Sequence, residues 1–355
     1  MKRIVKAEIE PVCSIHTRSD GDLFPCAWAE DDALYAANGD GKGFDLDSEW
    51  CDIVVNRIDG PADALSGVRL TGSEGVGTVW ADPAHYNRKP TGMICVDGKL
   101  YLAVQNLNKD PGFGGFDDAP CASICRSEDK GCTWQWDKQT PMFDQYRFTT
   151  IMFLDYGRNY ENCPDRFAYA YGLDHNWRAS FCGKVPDPQE MFLARVEKEK
   201  ILQREAWTFF AGIQGGRPIF EREMEKRVPV LQDKRRVPVT PPPDKGKTET
   251  AMSVLSQGSI VYNKPLDRYI YSSWTETTFE FYEAPAPWGP FRLFFSRDFG
   301  GYPWTDRQYG GYATVIPSKF ISRDGKEMMV QSNTFAGGTQ QYAFNLRKLT
   351  VTVEE

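Results

Sequence analysis

Four carboxylates stand beside predicted strand ends, where they could act together on a polymer. They are Asp20, Asp40, Asp174 and Glu276. Hydrolysis of a glycosidic bond needs one carboxyl group to protonate the leaving oxygen and another to activate water or attack, and separate strands can set their spacing. Asp40 is favoured because it falls at the open end of its predicted hairpin, whereas the acidic residues 30–32 fall in the turn.

A second chemistry centres on His85, one of three histidines, which lies in ADPAHYNRKPTG beside Arg88 and Lys89. A neighbouring cation lowers the pKa of a histidine and favours the neutral base. Together with Tyr146, and with Arg88 or Arg147 neutralising a carboxylate, this base could abstract a proton from a uronate sugar. Cleavage would then be β-elimination rather than hydrolysis.

Other polar and aromatic side chains at predicted strand ends would position a substrate. They are Asp20, Arg88, Lys89, Asn106, Arg147, His175, Trp274 and Tyr312. His175 could donate a hydrogen bond to a sugar hydroxyl. The nearby Trp177 has two open roles, stacking on a sugar ring or packing between sheets.

The strands that carry these residues belong to a recurring unit, in which a polar turn joins two short apolar strands. The clearest copy is GMICVDGKLYLAV, where Asp97 and Gly98 supply the positive φ angles of a tight turn. Units begin near Leu23, Gly92, Phe148, Met191, Ser259 and Pro317. The spacing between the starts of successive units suits one four-stranded propeller blade per unit.

If every hairpin points the same way, the turns share one face and the open ends converge on the other. We therefore expect the turns at 97–98 and 324–325 to lie together, with His85, Tyr146 and Tyr312 on the opposite face. That second face is the expected site.

Composition supports an all-β fold, since 14% of the residues are aromatic and the chain has 31 Gly and 23 Pro. We predict a single β-propeller over residues 1–355 with five to seven blades, and the hairpin count favours six or seven. A charged, proline-rich insertion at about 217–250 is expected to form no regular strand.

The segment SEDKGCTW, residues 127–134, matches the Asp-box pattern of propeller proteins. In this pattern Asp129 bonds to the backbone of its own turn, Gly131 allows the tight geometry and Trp134 packs between sheets. SRDFGGYPW, residues 296–304, is a degenerate second copy. The expected role of the box is structural.

Several segments in order resemble the bacterial and fungal propeller family catalogued as domain of unknown function 4185, which includes endo-D-arabinanase-type glycosidases. They are DDALYAANGDG, KPTGMICVDGKLYL, SEDKGCTW, FLDYGRNY, MFLARVEKEKIL with AWTFFAG, YEAPAPWGPF and IPSKFISRDGK. The resemblance implies a propeller of five or more blades that acts on glycosidic bonds. It is more remotely similar to seven-bladed lyases that use a pair of histidines, but the place of the second histidine reads Gln105-Asn106.

Three functions therefore stay open: a glycoside hydrolase as the leading hypothesis, a polysaccharide lyase, and a noncatalytic glycan-binding propeller. The expected partner is a polysaccharide or oligosaccharide. A net charge of −7 excludes a nucleic-acid partner, because it repels a phosphate backbone. No apolar run predicts a membrane segment or a signal peptide, so the chain is expected to be soluble, in a compartment the sequence leaves open.

No cofactor is required for either reaction. The loops that could hold a structural calcium ion are DGDLF and NGDGKGFDLD, because calcium binds carboxylate and carbonyl oxygens. Nine cysteines are present, and we expect most of them to be small apolar residues in strands, with a disulfide or a cysteine-rich metal site as the alternative.

Overall fold

The structure is a computed structural model that describes residues 2–72, 76, 86–108, 118–179, 185–238, 251–275, 277–299, 311–336 and 339–354. Two candidate catalytic residues, His85 and Glu276, lie outside the described residues. Besides strands, the described part of the chain contains five short 3-10 helices. These are Arg158–Tyr160, Lys198–Lys200, Arg204–Ala206, Met224–Lys226 and Ser318–Phe320.

The described residues form 25 strands. The first nine are β1 (Arg3–Ile9), β2 (Asp20–Asp22), β3 (Cys26–Trp28), β4 (Leu34–Gly43), β5 (Cys51–Asp59), β6 (Ser66–Thr71), β7 (Tyr86–Val96), β8 (Lys99–Asn108) and β9 (Cys121–Ser127). The next eight are β10 (Thr150–Asp155), β11 (Phe167–Leu173), β12 (Glu190–Glu197), β13 (Thr208–Gln214), β14 (Arg217–Glu221), β15 (Pro229–Gln232), β16 (Arg236–Pro238) and β17 (Ala251–Ser253). The last eight are β18 (Ser259–Asn263), β19 (Arg268–Trp274), β20 (Thr278–Ala284), β21 (Arg292–Asp298), β22 (Gly311–Val315), β23 (Glu327–Ala336), β24 (Thr339–Gln341) and β25 (Leu346–Glu354).

These strands build a β-propeller. Five antiparallel groups can be traced in the described residues, with strand orders β2-β4-β5-β6, β7-β8-β9, β10-β11-β12-β13-β14, β18-β19-β20-β21 and β22-β23-β25-β1. The last group is completed by the N-terminal strand, since β1 pairs with β25. Neighbouring groups meet at their first strands, where β10 runs parallel to β18.

Stacked sheets bury both faces of the central strands. Every residue of β19 and of β20 is buried, including the charged Arg268, Glu280 and Glu283. The ring closes where side chains of the first group, including Phe24 and Leu34, share a core with Phe344 and Leu346 of the last group. Phe24 meets Phe344 edge to face, with 5.4 Å between ring centroids.

The hairpins near Phe148 and Met191 are not separate blades. The strands that they contribute, β10 with β11 and β12 with β13, pair successively in one sheet, because β11 pairs with β12. A hairpin count therefore exceeds the number of sheets wherever one sheet holds two hairpins in sequence. This is why the preference for six or seven blades is not reproduced among the described residues.

The insertion at about 217–250 does contain strands in its described part, so the expectation of no regular strand was wrong there. Residues 217–221 form β14, which extends β13, and residues 229–232 form β15, which pairs with the edge of β12. Backbone pairing overrides local composition in this segment, because an exposed sheet edge accepts any extended chain with free amide and carbonyl groups. Residues 239–250 lie outside the described residues.

The two local turn predictions are confirmed. Asp97 and Gly98 have φ angles of 49° and 76°, as a tight hairpin turn requires. In the Asp box, Asp129 accepts a hydrogen bond from the Thr133 amide at 2.8 Å, and Gly131 has a φ of 87°. Trp134 is 7% exposed and packs in the core beside β8.

Among the described residues, no helix has the length and apolar character that crossing a membrane would need. Eight cysteines are described, and five of them are buried. The five buried cysteines therefore pack as small apolar residues.

Candidate active site

Hairpin turns gather on one side of the propeller, here called the turn face. The Lys130 ammonium pairs with Glu30 and donates to the Gly98 carbonyl at 3.3 Å. Gly98 in turn donates its amide to the Asn159 side chain at 2.8 Å. The connection that contains the 324–325 turn joins this side through Lys319, whose ammonium lies 3.6 Å from the Asp32 carboxylate.

Opposite strand ends form the open face, where a buried ammonium holds two carboxylates. The Lys89 nitrogen, on β7, lies 2.5 Å from Asp40 and 3.3 Å from Asp22. Tyr312, on β22, donates its hydroxyl to the other oxygen of Asp22 at 3.2 Å. Three sheets thus contribute to one cluster of Asp22, Lys89, Asp40 and Tyr312, named here the Lys89 cluster.

A bulge in β4 directs Asp40 into this cluster. Along β2 and β4, Asp20 pairs with Gly43 and Asp22 pairs with Gly39, so β4 carries two extra residues between the pairs. Asp40 lies in this bulge with a φ of 40°, a left-handed conformation that aspartate tolerates better than most residues. Bulges commonly re-aim a side chain in this way.

Close packing at the cluster requires glycine at position 39. A Cβ atom there would lie 2.4 Å from the Asp22 carboxylate and 2.9 Å from the Lys89 side chain. Glycine lets the backbone of β4 approach the ion pair directly. The NGDG sequence therefore supplies both the close approach and the bulged carboxylate.

Burial changes the pKa values of Asp22 and Lys89. Loss of hydration raises the pKa of Asp22 to about 6, and Lys89 opposes this increase only in part. Although burial lowers it, the pKa of Lys89 lies above its usual value because of the charges of Asp22 and Asp40. Lys89 therefore stays an ammonium, and the side chain of Asp40, which is 27% exposed, is the member of the cluster that solvent reaches.

Aromatic rings pack beside the cluster. Trp274 lies between Tyr312 and Trp177, at centroid distances of 4.9 and 5.8 Å, and Tyr312 stacks on Tyr342 at 5.6 Å. Trp274 is fully buried and Trp177 is 2% exposed. We expected Trp274 to contact substrate, but its ring is covered by adjacent sheets. Trp177, for which two roles were open, is covered in the same way and packs between sheets.

The candidates near Tyr146 form a second group on the open face. Tyr146 donates its hydroxyl to Asp118 at 3.2 Å, and its ring stacks on His175 at 6.1 Å. Asp174 accepts the Phe148 amide at 2.8 Å and forms an ion pair with Arg227. Asp174 therefore links the start of β10 to Arg227 in this arrangement.

Three predicted binding residues have structural partners. Arg88 makes a two-pronged ion pair with Asp52, at 2.8 and 2.9 Å, and Arg147 pairs with Glu225 on the surface at 2.8 Å. Asn106 is fully buried and donates to the Cys121 sulfur at 2.9 Å. The two guanidiniums expected to neutralise a uronate are thus already neutralised, which disfavours β-elimination.

Lys89 and Asp20 also differ from their expected roles. Lys89 is 3% exposed, so it holds carboxylates instead of touching substrate. Asp20 accepts the Lys42 amide at 3.0 Å and lines a separate cleft on the same face. Asp22 is the member of the cluster that sequence analysis missed, although the alternation in DGD places Asp20 and Asp22 one strand period apart.

The described residues contain no group of three or more His, Cys, Asp or Glu side chains arranged to hold a metal ion. In the two loops predicted to hold calcium, the carboxylates have other partners. Asp22 binds Lys89, and Asp45 accepts hydrogen bonds from Ser48 and the Asp47 amide within its own loop.

No protein-family model matches the chain, and no curated protein matches it. Among solved structures, the chain is similar to a Bacteroides ovatus protein described provisionally as a hydrolase, with 12% identity, a TM-score of 0.53 and coverage of 97% of this chain and 93% of that one. It is also similar to an endo-arabinase from Bacteroides thetaiotaomicron (12% identity, TM-score 0.48, coverage 97% and 98%). A third is a GH43_1 enzyme from Xanthomonas citri complexed with xylotriose (14% identity, TM-score 0.47, coverage 95% and 91%). The similarity to the Bacteroides ovatus protein spans nearly the whole of both chains, so the two share an overall fold.

Proposed function

We propose that the chain is a glycoside hydrolase that cleaves a polysaccharide on the open face, with Asp40 as the carboxylate that acts on the substrate. The observation that carries this proposal is the Lys89 cluster, where a buried ammonium fixes one partly exposed carboxylate and one buried carboxylate. Such a pairing holds the Asp40 carboxylate in a fixed orientation, as the base of a glycosidase requires.

Each member of the cluster has a separate task in this mechanism. Asp40 takes a proton from the attacking water, because it is the acid that solvent reaches. Lys89 and Asp22 are positioning residues: Lys89 holds the Asp40 oxygen at 2.5 Å, and Asp22, oriented by Tyr312, holds Lys89. Preorganised charge of this kind lowers the barrier because the protein needs no rearrangement as the reaction proceeds.

The proton donor to the leaving oxygen is assigned to Glu276 on sequence grounds. It follows Trp274 and Thr275 in the chain, and the described neighbours Thr275 and Thr278 form the turn from β19 to β20, with a backbone hydrogen bond of 2.8 Å. This turn follows the Trp274 ring that contacts Tyr312 of the Lys89 cluster.

A second part of the proposal concerns which sugar the substrate contains. The motifs that resemble the family catalogued as domain of unknown function 4185 support an arabinan-type substrate, because that family includes endo-D-arabinanase-type glycosidases. The polymer would be neutral, which agrees with a site whose only described buried cation, Lys89, is already neutralised by two carboxylates.

The test compares Asp40→Asn with Glu276→Gln and His85→Ala on the glycan that a digest panel shows to be cleaved. Losing a general acid or base costs about 10²–10⁴-fold in rate. We expect Asp40→Asn and Glu276→Gln to lower kcat by that amount, and His85→Ala to raise mainly KM. Asp45→Asn, in an exposed loop, is the matched control and should retain full activity.

Product analysis separates the alternatives. A hydrolase releases new reducing ends without ultraviolet absorbance, whereas β-elimination leaves an unsaturated uronate that absorbs. An absorbing product that is abolished by His85→Ala and retained in Asp40→Asn would contradict the proposal. Binding without either product would identify a noncatalytic glycan-binding propeller.

A further inference from the structure

A cleft beside the Lys89 cluster has the composition of a carbohydrate-binding subsite. It has a volume of about 710 Å³, within the range typical of small-molecule sites. Its lining includes His16, Arg18, Asp20, Leu46, Tyr342 and Asn345. None of these residues is used by the proposed cleavage reaction.

The side-chain amide of Asn345 is the feature of the cleft that indicates a ligand. The residue is 1% exposed, and neither its oxygen nor its nitrogen has a hydrogen-bond partner among the described residues. Its backbone carbonyl accepts the Ser332 amide at 3.1 Å. A buried amide that lacks partners is costly, so such groups normally have a protein, water or ligand partner.

An amide and an aromatic ring together match the chemistry of a sugar. The amide offers donors and an acceptor to a pair of neighbouring hydroxyls, directly or through one water, and the Tyr342 ring offers an apolar surface to a sugar face. Tyr342 stacks on Tyr312 at 5.6 Å with an angle of 21° between the rings. The exposed rim carries Arg18 and His16, which can donate to further hydroxyls.

The cleft also lies where an oligosaccharide bound at the candidate active site would extend. Asp20 lines it, and Asp22, two residues later on β2, holds Lys89 and through it Asp40. Two residues of a strand span roughly 6–7 Å. A linear oligosaccharide with its scissile bond at Asp40 would therefore extend into the cleft within one or two sugar residues.

We infer that this cleft is a distal subsite that binds a neutral sugar of the substrate, with Asn345 as its polar anchor and Tyr342 as its wall. The inference rests on the proposed function for the identity of the chain it binds. It predicts that affinity depends on oligosaccharide length, because only chains long enough to pass from Asp40 into the cleft reach Asn345.

The experiment measures binding, so that it does not depend on turnover. Xylo-, arabino- and galacto-hexaoses and the matching trioses are titrated calorimetrically into the full-length protein carrying Asp40→Asn, and into the same protein with Asn345→Leu added. The matched control adds Gln331→Leu instead. Gln331 is also a fully buried amide with no partner for either side-chain atom among the described residues, but it does not line the cleft.

We expect Asn345→Leu to weaken binding of at least one hexaose about tenfold and to leave the matching triose unchanged, while Gln331→Leu changes neither. Circular dichroism melting of both variants keeps folding separate from binding. Equal hexaose affinity in Asn345→Leu and its parent, or no binding of any hexaose by the parent, would overturn the subsite. Absence of cleavage by the wild-type protein with the length-dependent binding intact would instead refute only the hydrolase proposal.

Discussion

Two ion pairs on opposite faces of the propeller differ in how deeply they are buried. On the turn face, Lys130 and Glu30 form an ion pair in which the side chains are 32% and 41% exposed. On the open face, Lys89 and Asp22 are 3% and 2% exposed. An exposed pair costs little to form and contributes little, whereas a buried pair is expensive to desolvate and is retained where the charge has a use.

The acids show the same contrast in their pKa values. Although partial burial opposes it, the hydrogen bond and charge of Lys130 lower the pKa of Glu30, but burial raises the pKa of Asp22 to about 6 despite Lys89. The Lys130–Glu30 pair therefore favours the ionised form of Glu30. On the open face, the pKa of Asp22 is raised because the carboxyl group is buried. Shifted pKa values of this kind are common at functional sites.

The largest expected effect comes from removing the buried ammonium. Lys89→Met leaves Asp22 and Asp40 next to each other without a cation, so we expect a loss of about 3–5 kcal/mol in the free energy of unfolding. Activity should fall with it, because Asp40 is no longer held. Lys130→Met is the matched control on the turn face and should cost about 1 kcal/mol or less. Urea unfolding of both variants checks the contrast, and equal losses would contradict it.

An intermediate effect is expected in the pH dependence of stability. The pKa of Asp22 in the folded protein is about 6, above the value of about 3.9 for an unfolded chain, so the folded state binds this proton more tightly. Stability conferred by this group is present below pH 4 and is lost as the pH rises towards 6, by on the order of 3 kcal/mol. Urea unfolding of wild type and Asp22→Asn between pH 4 and pH 7 measures it.

The sign of that slope sharpens the comparison. The stability of wild type relative to Asp22→Asn should decrease as the pH rises through this window. Wild type relative to Glu30→Gln should show the opposite trend below pH 4.5, because the lowered pKa of Glu30 gives stability that is present above its ordinary value of 4.5 and is lost as the pH falls further. The same sign for both variants would remove the distinction between the faces.

The smallest effect is expected at Asp129 of the Asp box, whose carboxylate takes part in neither the Lys130–Glu30 pair nor the Lys89 cluster. Asp129→Ala removes the acceptor for the Thr133 amide and hydroxyl, bonds of 2.8 and 2.6 Å. We expect a loss of about 1–2 kcal/mol in stability with unchanged kcat and KM. Thermal melting and product release measure the two effects separately. Glu128→Ala, an exposed neighbour, should change neither, and lost turnover with unchanged melting in Asp129→Ala would place this residue in the site.

Local sequence determined those parts of this protein in which the interacting residues are only a few positions apart in the chain. The Asp box forms its bonds between positions four apart, and the 97–98 hairpin needs only two residues with positive φ angles. The all-β class follows in the same way, from composition and from the repetition of strand and turn. The open face could also be anticipated, because a hairpin's turn and its strand ends necessarily lie at opposite ends.

Pairings between distant residues could be decided only by the tertiary structure. Lys89 and Asp22 are 67 residues apart, and Tyr312 and Asp22 are 290 apart, so no spacing in the sequence marks them as partners. Asp174 and Trp274 shared every local feature of a site residue, yet Arg227 pairs with the first and adjacent sheets bury the second. The role of a charged or aromatic side chain depends on its hydration and its partners, and in a propeller both are set by how neighbouring sheets stack around the axis.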